Sequence, residues 1–122
     1  MKIRRGDILY AELGTSRRGS IQTGIRPVVV VSNNKANQFS TVYTVVPLTT
    51  KLFKKRNLPT HVFVSAHTSV GLEQHSIALC EQVTSIIDDD VIENLGQVDK
   101  YTLSQITEAV KVQIGAYEKY NI

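Results

Sequence analysis

The chain has 122 residues, 42% of them hydrophobic and 20% charged, an ordinary composition for one globular domain spanning residues 1–122. The single cysteine, Cys80, excludes an internal disulfide and favours the cytoplasm. The first residues lack the apolar segment of a signal peptide, and no apolar run approaches membrane-spanning length. These observations argue against a secreted or membrane-inserted protein.

The net charge of +3 conceals a strong asymmetry between the two halves of the chain. Residues 1–60 carry 11 Lys and Arg against 2 Asp and Glu, whereas residues 61–122 carry 3 against 9. Such a division predicts a basic face for a polyanion. The alternative is an ordinary mixed surface on which the two halves interleave.

Apolar runs of strand length predict five strands, over residues 7–13, 26–32, 41–48, 61–65 and 76–87, the last one bent midway. Residues 14–24 and 50–60 read as two long loops, and long loops often bind ligands. Asn33 is suited to cap a helical turn that ends near Gln38.

The last third predicts helices. Asp88, Asp89 and Asp90 suit the start of a short helix that ends at Gly96. Asp99 suits the cap of a longer helix, whose apolar face is formed by Leu103, Ile106, Val110, Ile114 and Tyr117. That face can belong to the core or to a subunit interface. The pattern predicts a small, strongly bent antiparallel sheet or partly open barrel with terminal helices.

Arg26 opens the buried strand Val28-Val29-Val30-Val31 and is followed by Pro27, which biases it toward an extended backbone. An arginine is charged at any working pH and can hold phosphate oxygens as a bidentate fork. Thr49 and Thr50 end the next strand and offer hydroxyl donors. The ordinary alternatives are a surface ion pair for Arg26 and a strand-end role for the threonines.

Basic residues are interleaved with an aromatic side chain in the second loop, where Lys51 and Lys54 flank Phe53. Arg17 and Arg18 add basic residues to the first loop. Single-stranded nucleic-acid binders combine a basic track with aromatic stacking surfaces. The alternative is a solvated loop with one apolar side chain folded under it.

The histidines and the cysteine show no sequence pattern of a metal site or a catalytic centre. His61, His67 and His75 match no common metal-ligand spacing, so a structural or surface role is expected for each, and no metal site or cofactor is predicted. Cys80 lies in an apolar run and is expected to be buried and inert. RNA transesterification by its own 2′-hydroxyl needs neither metal nor protein nucleophile, and an Arg–Thr pair could stabilise its phosphorane charge.

Short motifs in order along the chain resemble the MazF/PemK family of bacterial toxin endoribonucleases, and most closely its Gram-positive MazF branch. They are Arg5-Gly6-Asp7-Ile8, Gly24-Ile25-Arg26-Pro27-Val28-Val29-Val30, Asn33, Val46-Pro47-Leu48-Thr49-Thr50, Leu58-Pro59-Thr60, Glu81-Gln82-Val83 and Ser85-Ile86. The resemblance implies a small SH3-like barrel with a C-terminal helix. It also implies a homodimer, an antitoxin partner and metal-independent cleavage of single-stranded RNA to a 2′,3′-cyclic phosphate and a 5′-hydroxyl.

By the same resemblance Arg26 and Thr49 are catalytic. Polar groups lining the RNA groove correspond to Ser20, Gln22, Asn33 and Gln82. Many relatives have a glutamate where this chain has Ile21, so the general base and the base specificity are not implied by the family.

Two other functions fit the same residues. One is a non-enzymatic toxin of this fold that binds a protein target such as DNA gyrase, because fold alone does not fix function. The other is an RNA-binding module that leaves its RNA intact.

Overall fold

The computed structural model describes residues 2–15, 19, 21–52 and 58–119. The strands of these residues are β1 (Asp7–Glu12), β2 (Ile25–Val30), β3 (Val42–Thr49), β4 (His61–Val64), β5 (Ser76–Leu79), β6 (Thr84–Ile87) and β7 (Val91–Gln97). The helices are α1 (Asn34–Phe39) and α2 (Lys100–Gln113), with 3₁₀ turns at Cys80–Gln82 and Asp88–Asp90.

The strands form one bent antiparallel sheet in the order β4-β5-β3-β2-β1-β7, with β6 also paired to β3. The central strand β3 changes partner along its length, because its first half pairs with β6 and its last residues pair with β5. This change of partner bends the sheet at the end of β3. The mainly β fold with a C-terminal helix is as predicted, and the sheet stays open between its edge strands β4 and β7 in the described residues.

Side chains on the two faces of the sheet form two apolar clusters. Ile8, Val29 and Leu48 point to the face covered by Ile106 and Ala109 of α2. The alternate residues, including Leu9, Ala11, Val28, Val30 and Val45, pack on the other face. This alternation follows from the period of two in a strand.

The first four predicted strands are present within a few residues of the predicted limits, and the fifth is divided into β5 and β6 by the turn Cys80–Gln82. The short helix predicted from Asp88 to Gly96 is wrong. Only Asp88–Asp90 form a 3₁₀ turn, and Val91–Gln97 form β7. The open edge of β1 supplies hydrogen-bond partners to this segment, and its β-branched Val91 and Ile92 suit a strand.

Helix α2 is shorter than the apolar pattern suggests. Ile106 is fully buried, whereas Ile114 and Tyr117 are 67% and 59% exposed. The helix ends at Gln113, and Gly115 just beyond it has a φ of +76°, which a glycine adopts without strain. The apolar face therefore divides into a buried part and a part on the surface.

Candidate functional site

Arg26 lies at the start of β2, where its backbone pairs with Ala11 of β1. Its Nε donates a 2.8 Å hydrogen bond to the carbonyl oxygen of Thr23, and the side chain is half-buried. No carboxylate of the described residues forms an ion pair with this guanidinium. One edge of the guanidinium is therefore anchored, and its terminal nitrogens are left to bind an anion.

The register between β2 and β3 relates Arg26 to Thr49. The ladder pairs Val28 with Pro47 and Val29 with Val46, and it ends there. Pro27 has no N–H to donate to β3, which explains why the strands stop pairing at this point. Continued by two residues, the same register sets Arg26 opposite Thr49.

Both side chains are on the same face of the sheet. Arg26 is an even number of residues from Val28 and Val30 in β2, and Thr49 is an even number of residues from Val45 in β3. Val28, Val30 and Val45 all belong to the apolar cluster around Leu9. Alternation along each strand therefore directs the guanidinium and the hydroxyl to the same side, at the end where β2 and β3 separate.

The Thr49 side chain is buried, with 3% of the residue exposed. Its Oγ1 accepts a 3.2 Å hydrogen bond from the backbone N–H of Lys51. This contact fixes the hydroxyl oxygen and leaves its proton for donation. Lys51 and Thr50 are exposed beside it, so Lys51 adds positive charge at this end of the sheet.

Gln82 and Gln22 meet at the same sheet end, although they are 60 residues apart. The Oε1 of Gln82 accepts a 2.8 Å hydrogen bond from the backbone N–H of Gln22. The Oε1 of Gln22 is itself buried, and no described residue donates a hydrogen bond to it. A buried acceptor without a donor costs about 1–3 kcal/mol, so this oxygen is a natural point for a ligand donor.

The first loop closes above Arg26 through its backbone. The N–H of Gly24 donates to the carbonyl of Gly14 at 2.8 Å, and the carbonyl of Gly24 accepts from Leu13 at 2.9 Å. Gly24 has a φ of +76°, which lets the chain turn directly into β2. The base of the loop, at Gly14 and Gly24, is thus closed just before the strand that carries Arg26.

Asn33 is apart from this group. It follows the opposite end of β2, and the strand from Arg26 to Val30 alone spans about 13 Å at about 3.3 Å per residue. Its Oδ1 accepts a 2.8 Å hydrogen bond from the N–H of Ala36 and caps α1, as the sequence predicted. The predicted binding residues Arg17, Arg18, Ser20, Phe53 and Lys54 lie outside the described residues.

The family model described as "PemK-like, MazF-like toxin of type II toxin-antitoxin system" matches residues 4–114 of the chain. This match includes Arg26, Thr49 and Gln82. The chain belongs to the PemK/MazF toxin family.

Individual relatives of this PemK/MazF chain agree with that assignment. It is 32% identical to endoribonuclease EndoA of Bacillus subtilis over 114 residues, 93% of this chain and 96% of the relative. It is 38% identical to endoribonuclease MazF9 of Mycobacterium tuberculosis over 117 residues, 92% and 96% of the two chains. A solved mycobacterial endoribonuclease in complex with its cognate antitoxin has a TM-score of 0.75, 25% identity and coverage of 96% and 99%.

The histidines of this PemK/MazF domain have partners that sequence spacing did not reveal. The Nε2 of His61 lies 2.8 Å from Oε2 of Glu81, which β5 brings to the beginning of β4. The rings of His67 and His75 are 5.0 Å apart, and Nδ1 of His75 accepts from the N–H of Ala66. Strand pairing makes the His61 contact, so residue spacing alone carried no signal for it.

Cys80 is fully buried, and burial raises the pKa of its thiol to about 12. The thiol is therefore protonated at neutral pH and is a poor nucleophile, as the apolar sequence around it predicted.

Among the described residues of this PemK/MazF chain, no three His, Cys, Asp or Glu side chains cluster as a metal site would need. No helix in the described part of the chain is long and apolar enough to cross a bilayer.

Proposed function

We propose that this PemK/MazF toxin is a sequence-specific endoribonuclease that cuts single-stranded RNA without a metal ion. The register of β2 and β3 supports the proposal most directly, because it brings a cation and a hydroxyl from two strands to one face. The relatives named endoribonucleases share the chain nearly end to end.

In this reaction the ribose 2′-oxygen attacks the adjacent phosphorus, and the bond from phosphorus to the 5′-oxygen breaks. A base takes the 2′-proton, and the leaving 5′-oxygen gains a proton. The products are a 2′,3′-cyclic phosphate and a 5′-hydroxyl. Negative charge accumulates on the non-bridging oxygens, so preorganised donors accelerate the step.

Arg26 is the main donor to those oxygens. Its Nε is held by Thr23, so the terminal nitrogens are oriented before RNA binds and little reorganisation is needed. Arginine is too basic to act as an ordinary general base, and charge stabilisation is its role. Thr49 donates the second hydrogen bond, from a hydroxyl whose oxygen is fixed by Lys51.

The RNA strand is bound by the loops around these two residues. We assign this binding to Arg17, Arg18, Ser20, Gln22, Thr50, Lys51, Phe53, Lys54 and Gln82, and we assign to Asn33, beyond the opposite end of β2, a contact with a more distant nucleotide of the same strand. The basic residues contact phosphates, Phe53 stacks on a base, and the amide groups bind base edges. Gln22 is the best supported of the amides, because its buried oxygen needs a donor.

The partners follow from the same assignment. We expect a cytoplasmic homodimer and a cognate antitoxin whose acidic or extended segment occupies the basic groove. One of the mycobacterial structures is an endoribonuclease with its cognate antitoxin. The exposed apolar side chains at the end of α2 and just beyond it, Val112, Ile114 and Tyr117, are available for the dimer contact.

The test is to incubate the purified protein with a long RNA in excess EDTA and to map both ends at each cut. We expect cuts within a short motif, with cyclic phosphate and 5′-hydroxyl termini. Intact RNA, or cleavage that the Arg26→Ala variant retains, would overturn the proposal. Toxicity retained by Arg26→Ala without RNA cleavage would instead favour a toxin that binds a protein target.

A further inference from the structure

A cavity of about 390 Å³ opens at the same end of the sheet, on the face opposite to Arg26 and Thr49. That volume lies in the range of pockets for small molecules. Its lining includes Tyr10, Pro27, Thr50, Glu73, Gln74 and Glu93.

The floor of this cavity is a row across three strands. Tyr10 of β1 pairs with Pro27 of β2 on one side and with Glu93 of β7 on the other. Directly paired residues point to the same face, so the aromatic ring, the proline and the carboxylate lie side by side. Tyr10 is 39% exposed, which leaves part of its ring for stacking against a flat ligand.

The wall opposite the floor is the segment 70–75, and it is held firmly against β7. Val70 and Gln97 exchange backbone hydrogen bonds of 2.8 and 3.0 Å. A Cβ placed on Gly71 would lie 1.7 Å from the carbonyl oxygen of Leu95, so the two backbones approach as closely as only glycine permits. The cavity is therefore formed before a ligand arrives.

The two charged groups of the cavity are carboxylates, which accept hydrogen bonds. Glu73 and Glu93 are both exposed in its lining, and Gln74 and Thr50 add further polar atoms. Two carboxylates repel a phosphate. They accept hydrogen bonds from exocyclic amino groups, which guanine, cytosine and adenine carry and uracil lacks.

Each candidate catalytic residue is adjacent in sequence to a residue that lines the cavity. Arg26 is followed by Pro27, and Thr49 by Thr50, and in each pair the second residue lines the cavity. When the phosphate of a nucleotide contacts Arg26 and Thr49, the cavity at the end of the sheet is therefore close to a neighbouring base. Single-stranded RNA is recognised in this manner, by stacking on an aromatic ring and by hydrogen bonds to a base edge.

We propose that the cavity between Tyr10, Glu73 and Glu93 is a specificity pocket for a nucleobase close to the scissile phosphate, and that it selects bases with amino donors over uracil. This inference rests on the proposed RNA cleavage. The carboxylates set the selection, and the Tyr10 ring supplies binding that does not depend on the base.

The test compares wild-type protein with Glu73→Gln, Glu93→Gln and Tyr10→Ala. Glu118→Gln is the matched control, because Glu118 is exposed and lies outside the cavity. Each protein digests one RNA library of random sequence, and the relative rates are read from the mapped ends. Binding of short oligonucleotides with 2′-O-methyl riboses, which cannot be cut, gives a second readout.

At one position near the cut, the wild-type preference for amino-bearing bases over uracil should fall about tenfold or more in the glutamine variants. Tyr10→Ala should weaken oligonucleotide binding for all four bases, and Glu118→Gln should match the wild type. If wild-type protein cuts RNA and both glutamine variants keep its base preferences, the pocket assignment alone is wrong. If wild-type protein leaves the library intact, the proposed function fails, and the pocket assignment fails with it.

Discussion

The side-chain oxygen of Gln82 accepts a 2.8 Å hydrogen bond from the backbone N–H of Gln22 and so joins the β5–β6 turn to the first loop. A substitution of Gln82 by methionine keeps the length of the side chain and removes this acceptor. We expect the loop to be less ordered before RNA binds. RNA binding must then also order the loop, and this conformational entropy cost weakens the affinity. KM should rise about tenfold with a smaller change in kcat. Gln113→Met, at the exposed end of α2, is the control, and an unchanged KM in Gln82→Met would contradict this coupling.

Arg26 should be the most sensitive position for cleavage. Removal of a preorganised donor to a developing oxyanion slows catalysis by about 10²–10³-fold, and Arg26→Ala should lose at least that much in single-turnover rate. Arg26→Lys keeps the charge without the fork, so it should recover only part of the rate. Arg4→Ala removes the same charge from an exposed position and should cleave like the wild type. Equal losses in Arg26→Ala and Arg4→Ala would show that net charge alone matters.

Tyr43 should make folding stability depend on alkaline pH. Its hydroxyl donates a 2.5 Å hydrogen bond to Oδ1 of Asp88, and this contact raises the pKa of Tyr43 from 10 to about 12. The folded state therefore keeps a proton that the unfolded chain loses between pH 10 and 12, so this stabilisation is complete below pH 10 and disappears as the pH rises.

Tyr43→Phe should accordingly be less stable than the wild type by about 1–2 kcal/mol at pH 8, with the difference shrinking toward pH 12. Denaturant unfolding at pH 8, 10 and 11 measures this. Tyr101→Phe, at a residue that is 70% exposed, is the control. A difference that stays constant over this range would contradict the assigned contact.

The exposed apolar side chains at the C-terminal end of α2 and just beyond it should contribute to a homodimer. Val112, Ile114 and Tyr117 are 41%, 67% and 59% exposed, more than isolated surface residues of a monomer require. A mass measurement in solution should give twice the chain mass, and Val112→Glu combined with Tyr117→Glu should shift it toward the monomer. Tyr101→Glu adds a charge elsewhere on the helix and should leave the dimer intact. A wild-type protein that stays monomeric at high concentration would end this prediction.

Much of the fold was predictable from local pattern. The valines after Pro27 predicted a buried strand, and Asn33 predicted the start of α1, because strand periodicity and helix capping are properties of neighbouring residues. The segment Val91–Gln97 was assigned wrongly to a helix, since its pairing with β1 depends on residues 80 to 90 positions away. Tertiary pairing overrode the local cap and glycine signals.

The candidate site was predictable only in part, for the same reason. Arg26 and Thr49 could be singled out from strand ends and from the family resemblance, yet their shared face depends on the register of β2 and β3. The contact between Gln22 and Gln82 and the cavity at Tyr10 each join distant segments. The spacing of residues along the sequence does not predict such contacts, because the bent sheet brings distant segments together.

The most direct test of the central claim is a double-mutant cycle on single-turnover RNA cleavage with Arg26→Ala, Thr49→Val and the combined variant. Thr49→Val removes the hydroxyl and keeps the β-branched shape of this buried side chain. If both side chains stabilise the same phosphate, their effects are not additive, and the combined variant should be about as slow as the slower single variant. Two losses that multiply fully would show that Arg26 and Thr49 act independently, and would contradict a shared site on the scissile phosphate.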